Sequence, residues 1–168
     1  GTYPLPEAQL DRFLLKLKVL MGTREELKEV LTRTTDVHDV KLQKVVSQDE
    51  ALAMREFVRN LVTADNIKDY AVRLVLATHP DNEHATDLVR RYVRYGSSPR
   101  GAQALMRAGK VYAAVDGRLQ VGFEDVRRAA YPALRHRMIM NFEGEAEGMD
   151  TDRLVADILE HTEELVPA

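Results

Sequence analysis

One device recurs along this chain and constrains it most: a hydroxyl or carboxylate residue, often with an acid three positions later, followed by apolar residues at helical spacing. Thr23 with Glu26 forms a capping box, in which each side chain satisfies an amide that the first turn leaves open. Leu27, Val30, Leu31 and Thr34 then mark one face to about residue 35. Ser47 with Glu50 repeats the device before Leu52, Phe57, Val58 and Leu61. Thr63 is expected to cap a third helix, with Ile67, Tyr70, Ala71, Leu74, Val75 and Thr78 as its stripe and Pro80 beyond its end. Ser98 and Pro99 open a fourth, because proline at the first helical position lacks only an amide that would have no partner, and Asp116-Gly117 end it. Its buried face is expected at Ala102, Leu105, Met106, Gly109, Tyr112 and Ala113, where Gly109 predicts a close helix crossing. A fifth helix is expected from near Gly122, disturbed at Pro132. A sixth, capped by Asp150, carries Leu154, Val155, Ile158, Leu159 and Leu165. The fold class these signals predict is mainly α.

The first twenty residues differ in kind. Tyr3-Pro4-Leu5-Pro6 reads as a turn, Pro6 can open a short helix through Phe13, and Leu15-Lys16-Leu17-Lys18-Val19 alternates apolar with basic as a strand does. A lone strand has no ladder. Unless Val37 to Val46 supplies a partner, this strand belongs to a sheet outside the chain. Residues 1–21 are therefore expected to end a preceding domain, with Met21-Gly22 as the joint and residues 22–168 as the following one. Opening on Gly1 rather than Met reads as a segment of a longer protein.

Composition removes several function classes. The chain has 168 residues, 45% hydrophobic and 30% charged, with 9 Gly and 6 Pro, which excludes disorder and fibrous repeats and permits one domain plus a piece of another. It contains no cysteine, so disulfides, thiolate zinc sites and a cysteine nucleophile are excluded, and a reducing, cytoplasmic location is expected. Neither an 18-residue apolar run nor a leader is read, so no membrane insertion is expected.

The net charge of −3 hides an asymmetry: residues 87–137 hold 11 Lys/Arg against 4 Asp/Glu, while residues 138–168 hold 1 against 9. The two stretches could pair with each other, or the basic one could address an anion such as a nucleotide phosphate. Nucleic acid is not expected, because the whole chain is acidic and no basic run is interleaved with aromatics.

Catalytic motifs are mostly missing. Gly96 with Gly101 and Gly117 with Gly122 have the spacing of a phosphate loop, but Ala102 and Phe123 stand where lysine is required. His79 and His84 flank Pro80 and cannot form a helical i, i+4 pair, so no metal site is expected. Ser97 and Ser98 lack a nucleophile-elbow pattern, and capping accounts for Ser98. Two arginines remain. Arg12 leaves the end of a short helix, where it either pairs with Asp11 or Glu7 or serves a function. Arg100 lies in the first turn of its helix, where the dipole disfavours a cation unless an anion is present, so it is either solvated or anion-bound.

Three stretches together carry a resemblance. GTYPLPEAQLDRF at 1–13, YGSSPRGAQALMRAGKVYAAVDGR at 95–118 and ALRHRMIMNFEGEAEG at 133–148 closely resemble the C-terminal third of MoxR-type AAA+ ATPases, over essentially the whole chain. The resemblance implies a helical-bundle lid domain at residues 22–168, preceded by the last short helix and strand of an α/β ATPase core at 1–21. It implies that Arg12 of LDRF is an arginine finger acting in trans. It implies that Arg100 of SPR is sensor 2, contacting nucleotide with Ser98 and Pro99, in its own subunit or the next. VLMGTREE departs from a hinge expected to hold more proline or aromatic residues, and Ser97 stands where relatives often carry alanine. Neither departure touches the two arginines.

By the same resemblance, the full-length parent is expected to use ATP and Mg²⁺ in a hexameric ring to remodel or mature a client protein, with von Willebrand factor A domain proteins as the family analogy. The Walker A and B residues would precede Gly1, so this segment alone is expected to be inactive and to bind nucleotide weakly. The alternative is a stand-alone helical interaction module that binds an acidic partner and never meets nucleotide.

Overall fold

The computed structural model describes residues 5–36 and 41–165. In chain order the elements are α1 (Glu7–Leu10), α2 (Arg24–Thr35), α3 (Gln48–Asn60), α4 (Asp65–Leu76), α5 (Asp87–Tyr92), β1 (Val93–Tyr95), α6 (Pro99–Val115), α7 (Phe123–Leu134), β2 (Ile139–Met140), α8 (Phe142–Ala146) and α9 (Thr151–His161). The chain divides into two compact units, Gly1–Lys16 with Glu56–Ala168, and Leu17–Arg55. The mainly α expectation holds.

The larger unit is built around α4, α6, α7 and α9. Tyr70 and Leu74 of α4, Leu105 of α6, Val126 and Leu134 of α7, and Leu154 and Ile158 of α9 lose all contact with solvent and form one core. The Tyr70 ring stands edge-on to Phe123 with centroids 5.2 Å apart, a favoured aromatic geometry. α6 and α7 meet closely where Gly109 faces Val121 and Asp125; a Cβ there would stand 3.3 Å from Val121 Cγ1. This is the crossing that Gly109 predicts. Gly117 ends α6 at φ +74°, a left-handed position that suits glycine.

Four expectations need correction. Thr63 is not the cap of α4: the N-cap is Ala64 without a side-chain bond, and the Thr63 hydroxyl is buried with no hydrogen-bond partner among the described residues. The buried face of α6 is Gly101, Ala104, Leu105, Ala108, Gly109 and Ala113, leaving Ala102, Met106 and Tyr112 only half-buried. The face is rotated because a helix rich in small residues offers little hydrophobic contrast. Residues 15–19 form no strand; Lys16 donates its amide to Pro132 O at 2.8 Å, and residues 41–46 form no strand either. That carbonyl is one of the last four of α7, which have no intrahelical donor, so an extended segment can satisfy it without a ladder. Leu165 lies beyond α9 and is exposed. Tyr3 and Pro4, and the Val37–Val40 part of the suggested strand partner, fall outside the described residues.

Several short elements carry no periodic signal. β1 pairs antiparallel with β2, Val93 opposite Met140 and Tyr95 opposite Ile139, with an irregularity between them. α5 is capped by Thr86 and α8 by Asn141.

The smaller unit holds α2 and most of α3. Both capping boxes form: Glu26 N donates to Thr23 Oγ1 at 3.3 Å while Thr23 N donates to Glu26 Oε2 at 2.7 Å, and Ser47 with Glu50 repeats this at 3.2 and 2.7 Å. The apolar stripe of α2 stays exposed: Leu27, Val30 and Leu31 are all more than 40% accessible.

Candidate functional site

The site is assembled where the C-terminus of α7, the N-terminus of α6 and the turn after α1 come together. α7 ends at Leu134, so its last carbonyls need donors from elsewhere. Lys16 N takes Pro132 O, the Arg137 guanidinium takes Ala133 O, and Arg137 N takes Leu134 O at 2.9 Å. A cation placed there also faces the negative end of the helix dipole.

Arg137 is the best-buried charged side chain of the group, with 2% of its side chain exposed. Its five N–H donors are all engaged. Nε meets Asp11 Oδ1 at 3.2 Å, one terminal nitrogen meets Leu14 O at 3.2 Å and Ala133 O, and the other meets Asp11 O at 3.1 Å and Phe13 O at 2.6 Å. Burial pulls its pKa below the usual arginine value, and the Asp11 carboxylate opposes that pull. The two preceding residues contribute as well: His136 Nε2 donates to Phe13 O at 3.0 Å and Arg135 donates to Lys16 O at 3.2 Å. Because a carbonyl only accepts, that bond places the His136 proton on Nε2. Its Nδ1 is then buried without a partner among the described residues, and burial lowers its pKa.

Asp11 is the hub. Its carboxylate accepts from Arg137, from the Ser98 hydroxyl at 2.8 and 3.0 Å, and from Arg100 at 3.2 Å. Ser98 caps α6 as expected, accepting from Arg100 N at 3.2 Å, with Pro99 at the first helical position. The anion that Arg100 needs in the first turn of its helix is thus, in this chain, Asp11. Arg12 behaves differently. It is exposed, and among the described residues it makes no ion pair, so neither pairing considered for it, with Asp11 or with Glu7, is formed.

Arg12, Arg100, Arg107 and Arg137 line one cleft of about 280 Å³ with Asp11, Leu14, Gln103 and Ala104. Four guanidiniums against one carboxylate suit an anion. The structure brings together Arg12, Arg100 and Ser98, which were identified from sequence, and adds Asp11, Arg107 and Arg137. Arg107 was within reach of sequence reasoning, since seven residues are two helical turns and return to the face of Arg100. Asp11 and Arg137, 126 residues apart, gave no spacing signal.

The charge asymmetry is in large part internal pairing. Arg91 pairs with Glu143 and Glu147, Arg127 with Glu164 and Arg135 with Asp152, so much of the basic stretch is neutralised internally. Arg100, paired with Asp11, and Arg107 line the cleft. Among the described residues there is no cluster of three or more His, Asp or Glu able to hold a metal, and no helix is long and apolar enough to cross a membrane.

Residues 85–158 match the family model of the AAA lid domain. Over 162 residues the chain is 36% identical to Uncharacterized protein YeaC of Bacillus subtilis, covering 95% of this chain and 47% of that protein. It is 31% identical over 160 residues to Chaperone MoxR1 of Mycobacterium tuberculosis, covering 95% of this chain and 42% of that one. A solved structure of a candidate ATPase from Cytophaga hutchinsonii superimposes with a TM-score of 0.92 at 35% identity, over 99% of this chain and 51% of that chain. The chain spans about half the length of the relatives it matches. Fold and matches together define an AAA lid domain with the short segment that precedes it. More narrowly, these matches support a C-terminal, lid-bearing segment of the MoxR-type AAA+ ATPases.

Proposed function

We propose that this chain supplies the lid and the arginine finger of an ATP-hydrolysing ring in which residues 1–21 close the ATPase core and residues 22–168 form the lid domain. The observation that carries the reading is the cleft: Arg12 stands exposed and unpaired among the described residues, beside Arg100, in a setting of four arginines and one acid. As the γ-phosphate leaves ATP, charge grows on its oxygens, and a guanidinium offers permanent charge and a matching fork of donors. Arg12 would reach the nucleotide of a neighbouring subunit. Arg100, at the N-terminus of α6 with Ser98 and Pro99, would contact nucleotide as sensor 2 and link lid position to the phosphate state. ATP would bring Mg²⁺, held by residues outside this chain. The ring, read as a hexamer working in the cytoplasm, would use the cycle to remodel a client protein, the von Willebrand factor A domain class being the family analogy. The alternative of an interaction module for acidic partners is disfavoured by the internal pairing of Arg91, Arg127 and Arg135.

The test uses the longer protein that includes the ATPase core. Arg12→Ala is expected to leave ATP affinity of the isolated subunit unchanged and to lower turnover by about 10³ or more. Mixing in subunits with an intact Arg12 but a dead phosphate loop is expected to restore hydrolysis at the neighbouring site, which a residue acting within one chain could not do. Arg12→Lys is expected to rescue little. Turnover near wild type in Arg12→Ala, with only a lowered melting temperature, overturns the assignment.

A further inference from the structure

If Arg12 is to meet a phosphate in another subunit, its position has to be defined to a fraction of an ångström, and its own segment cannot do this. α1 has four residues, too few to be stable alone, and residues 12–14 are exposed turn and bend. We propose that Arg137 is the positioning residue for Arg12, fixing the turn that presents it; this rests on the finger reading above.

The geometry is specific to that task. Three of the bonds from Arg137 go to carbonyls of Asp11, Phe13 and Leu14, which bracket residue 12 on both sides. None goes to Arg12 itself, whose side chain is left in the cleft. The other end of the guanidinium holds Ala133 O, in the last turn of α7, a helix whose Ala129, Ala130, Ala133 and Leu134 are wholly buried in the core. The turn is therefore tied to a helix packed in the core of the unit. The same guanidinium orients the Asp11 carboxylate that receives Ser98 and Arg100, so one buried side chain bears on both Arg12 and Arg100. Lysine could not substitute: one ammonium with three donors cannot span four carbonyls and a carboxylate. His136 and Arg135 reinforce the arrangement through Phe13 O and Lys16 O.

Two measurements test the proposal. The first needs no activity. In this chain, Arg12 N and Phe13 N donate to Gln9 O and Leu10 O, so their amides report the turn. In Arg137→Lys and Arg137→Met, hydrogen exchange at these two amides is expected to accelerate tenfold or more, while amides of α6 between Ala104 and Ala113 keep their protection. Unchanged exchange at the turn overturns the proposal. Loss of protection throughout the unit in the lysine variant also overturns it, by making Arg137 a general folding residue. If the methionine variant does not fold, the lysine variant is read alone.

The second is a double-mutant cycle in the longer ATPase. Arg137→Lys is expected to lower kcat by about 10², as small misplacements of a reacting group do, with KM for ATP little changed. In the Arg12→Ala background it is expected to lower kcat no further, because a residue acting through Arg12 has nothing left to position. Multiplying effects, or an unaffected kcat in Arg137→Lys, overturn the proposal. Should Arg12→Ala itself leave turnover intact, the finger reading fails, and the exchange result still shows whether Arg137 holds the turn.

Discussion

α2 and α6 begin with the same chemistry, a hydroxyl side chain at the N-cap, Thr23 in one and Ser98 in the other, yet α2 has no buried residue and α6 has six. Capping decides where a helix begins, because it concerns the few amides that the first turn leaves open. Burial is decided by what packs alongside. α6 lies against α7 through glycine and alanine, whereas the Leu27, Val30 and Leu31 face of α2 stays exposed and the helix is supported by its capping box and by the Glu29–Arg33 pair at 2.7 Å. Stability in the larger unit is thus tertiary, and in the smaller unit largely local.

The largest effect that would break this comparison comes from the core. Leu134→Ala is expected to remove about 2–5 kcal/mol from the unfolding of the larger unit in urea. Val30→Ala in α2, 54% exposed, is expected to stay within about 0.5 kcal/mol. Comparable losses would show that both faces are packed. Next is Gly101→Ala, whose new Cβ would collide with Ser97 Oγ and press on Leu134 Cδ2 at 3.2 Å. An overpacking cost of about 1–3 kcal/mol is expected by the same urea measurement, and a neutral outcome would mean that the N-terminus of α6 can shift. Thr23→Ala is expected to cost about 0.5–2 kcal/mol, confined to α2. Exchange of the α2 amides should rise while the larger unit's urea midpoint stays put; a moved midpoint would break the separation.

The smallest effect is pH-dependent. His136 is pushed below its usual pKa by burial, with Arg137 and Lys16 acting in the same direction and Phe13 O and Asp11 against it. The unfolded chain therefore binds a proton that the folded chain resists. Stability from this group is complete above its ordinary value of about 6.5 and is lost as pH falls through the lowered folded value. His161, raised by the backbone and carboxylate of Asp157, works in the opposite sense: its contribution is present below that value and lost as pH rises through the raised one. Urea midpoints between pH 5 and 8 are expected to show an acid limb that His136→Gln flattens; an unchanged limb in that variant rules His136 out as its source.

Much of the fold was legible because it is announced locally. The boxes at Thr23 and Ser47, Ser98-Pro99 and Asp150 each start a helix where the sequence places it. α5, α8 and the β1–β2 pair were missed because six, five, three and two residues are too short to show a period, and β1 finds its partner more than forty positions away. The alternation at Leu15 to Val19 misled because an extended backbone can bond to a helix end as readily as to a strand. At the site, Arg12 and Arg100 stood out through their local surroundings and the resemblance, and the cleft holds both. Their setting was not legible. The choice of Asp11 by Arg100 and Arg137 rather than by Arg12 depends on where α6 and α7 terminate in space, which no spacing in the sequence records.

The clasp between residues 11–16 and the end of α7 also bears on how freely the intervening chain can change. It closes a loop of more than a hundred residues, and the entropy of such closure grows only with the logarithm of length, about 0.6 kcal/mol for each doubling. Residues 17–55, a separate unit within that loop, could therefore lengthen, shorten or be replaced with little penalty to the closure itself. A chain built this way can vary its middle while the two ends that carry the arginines stay joined.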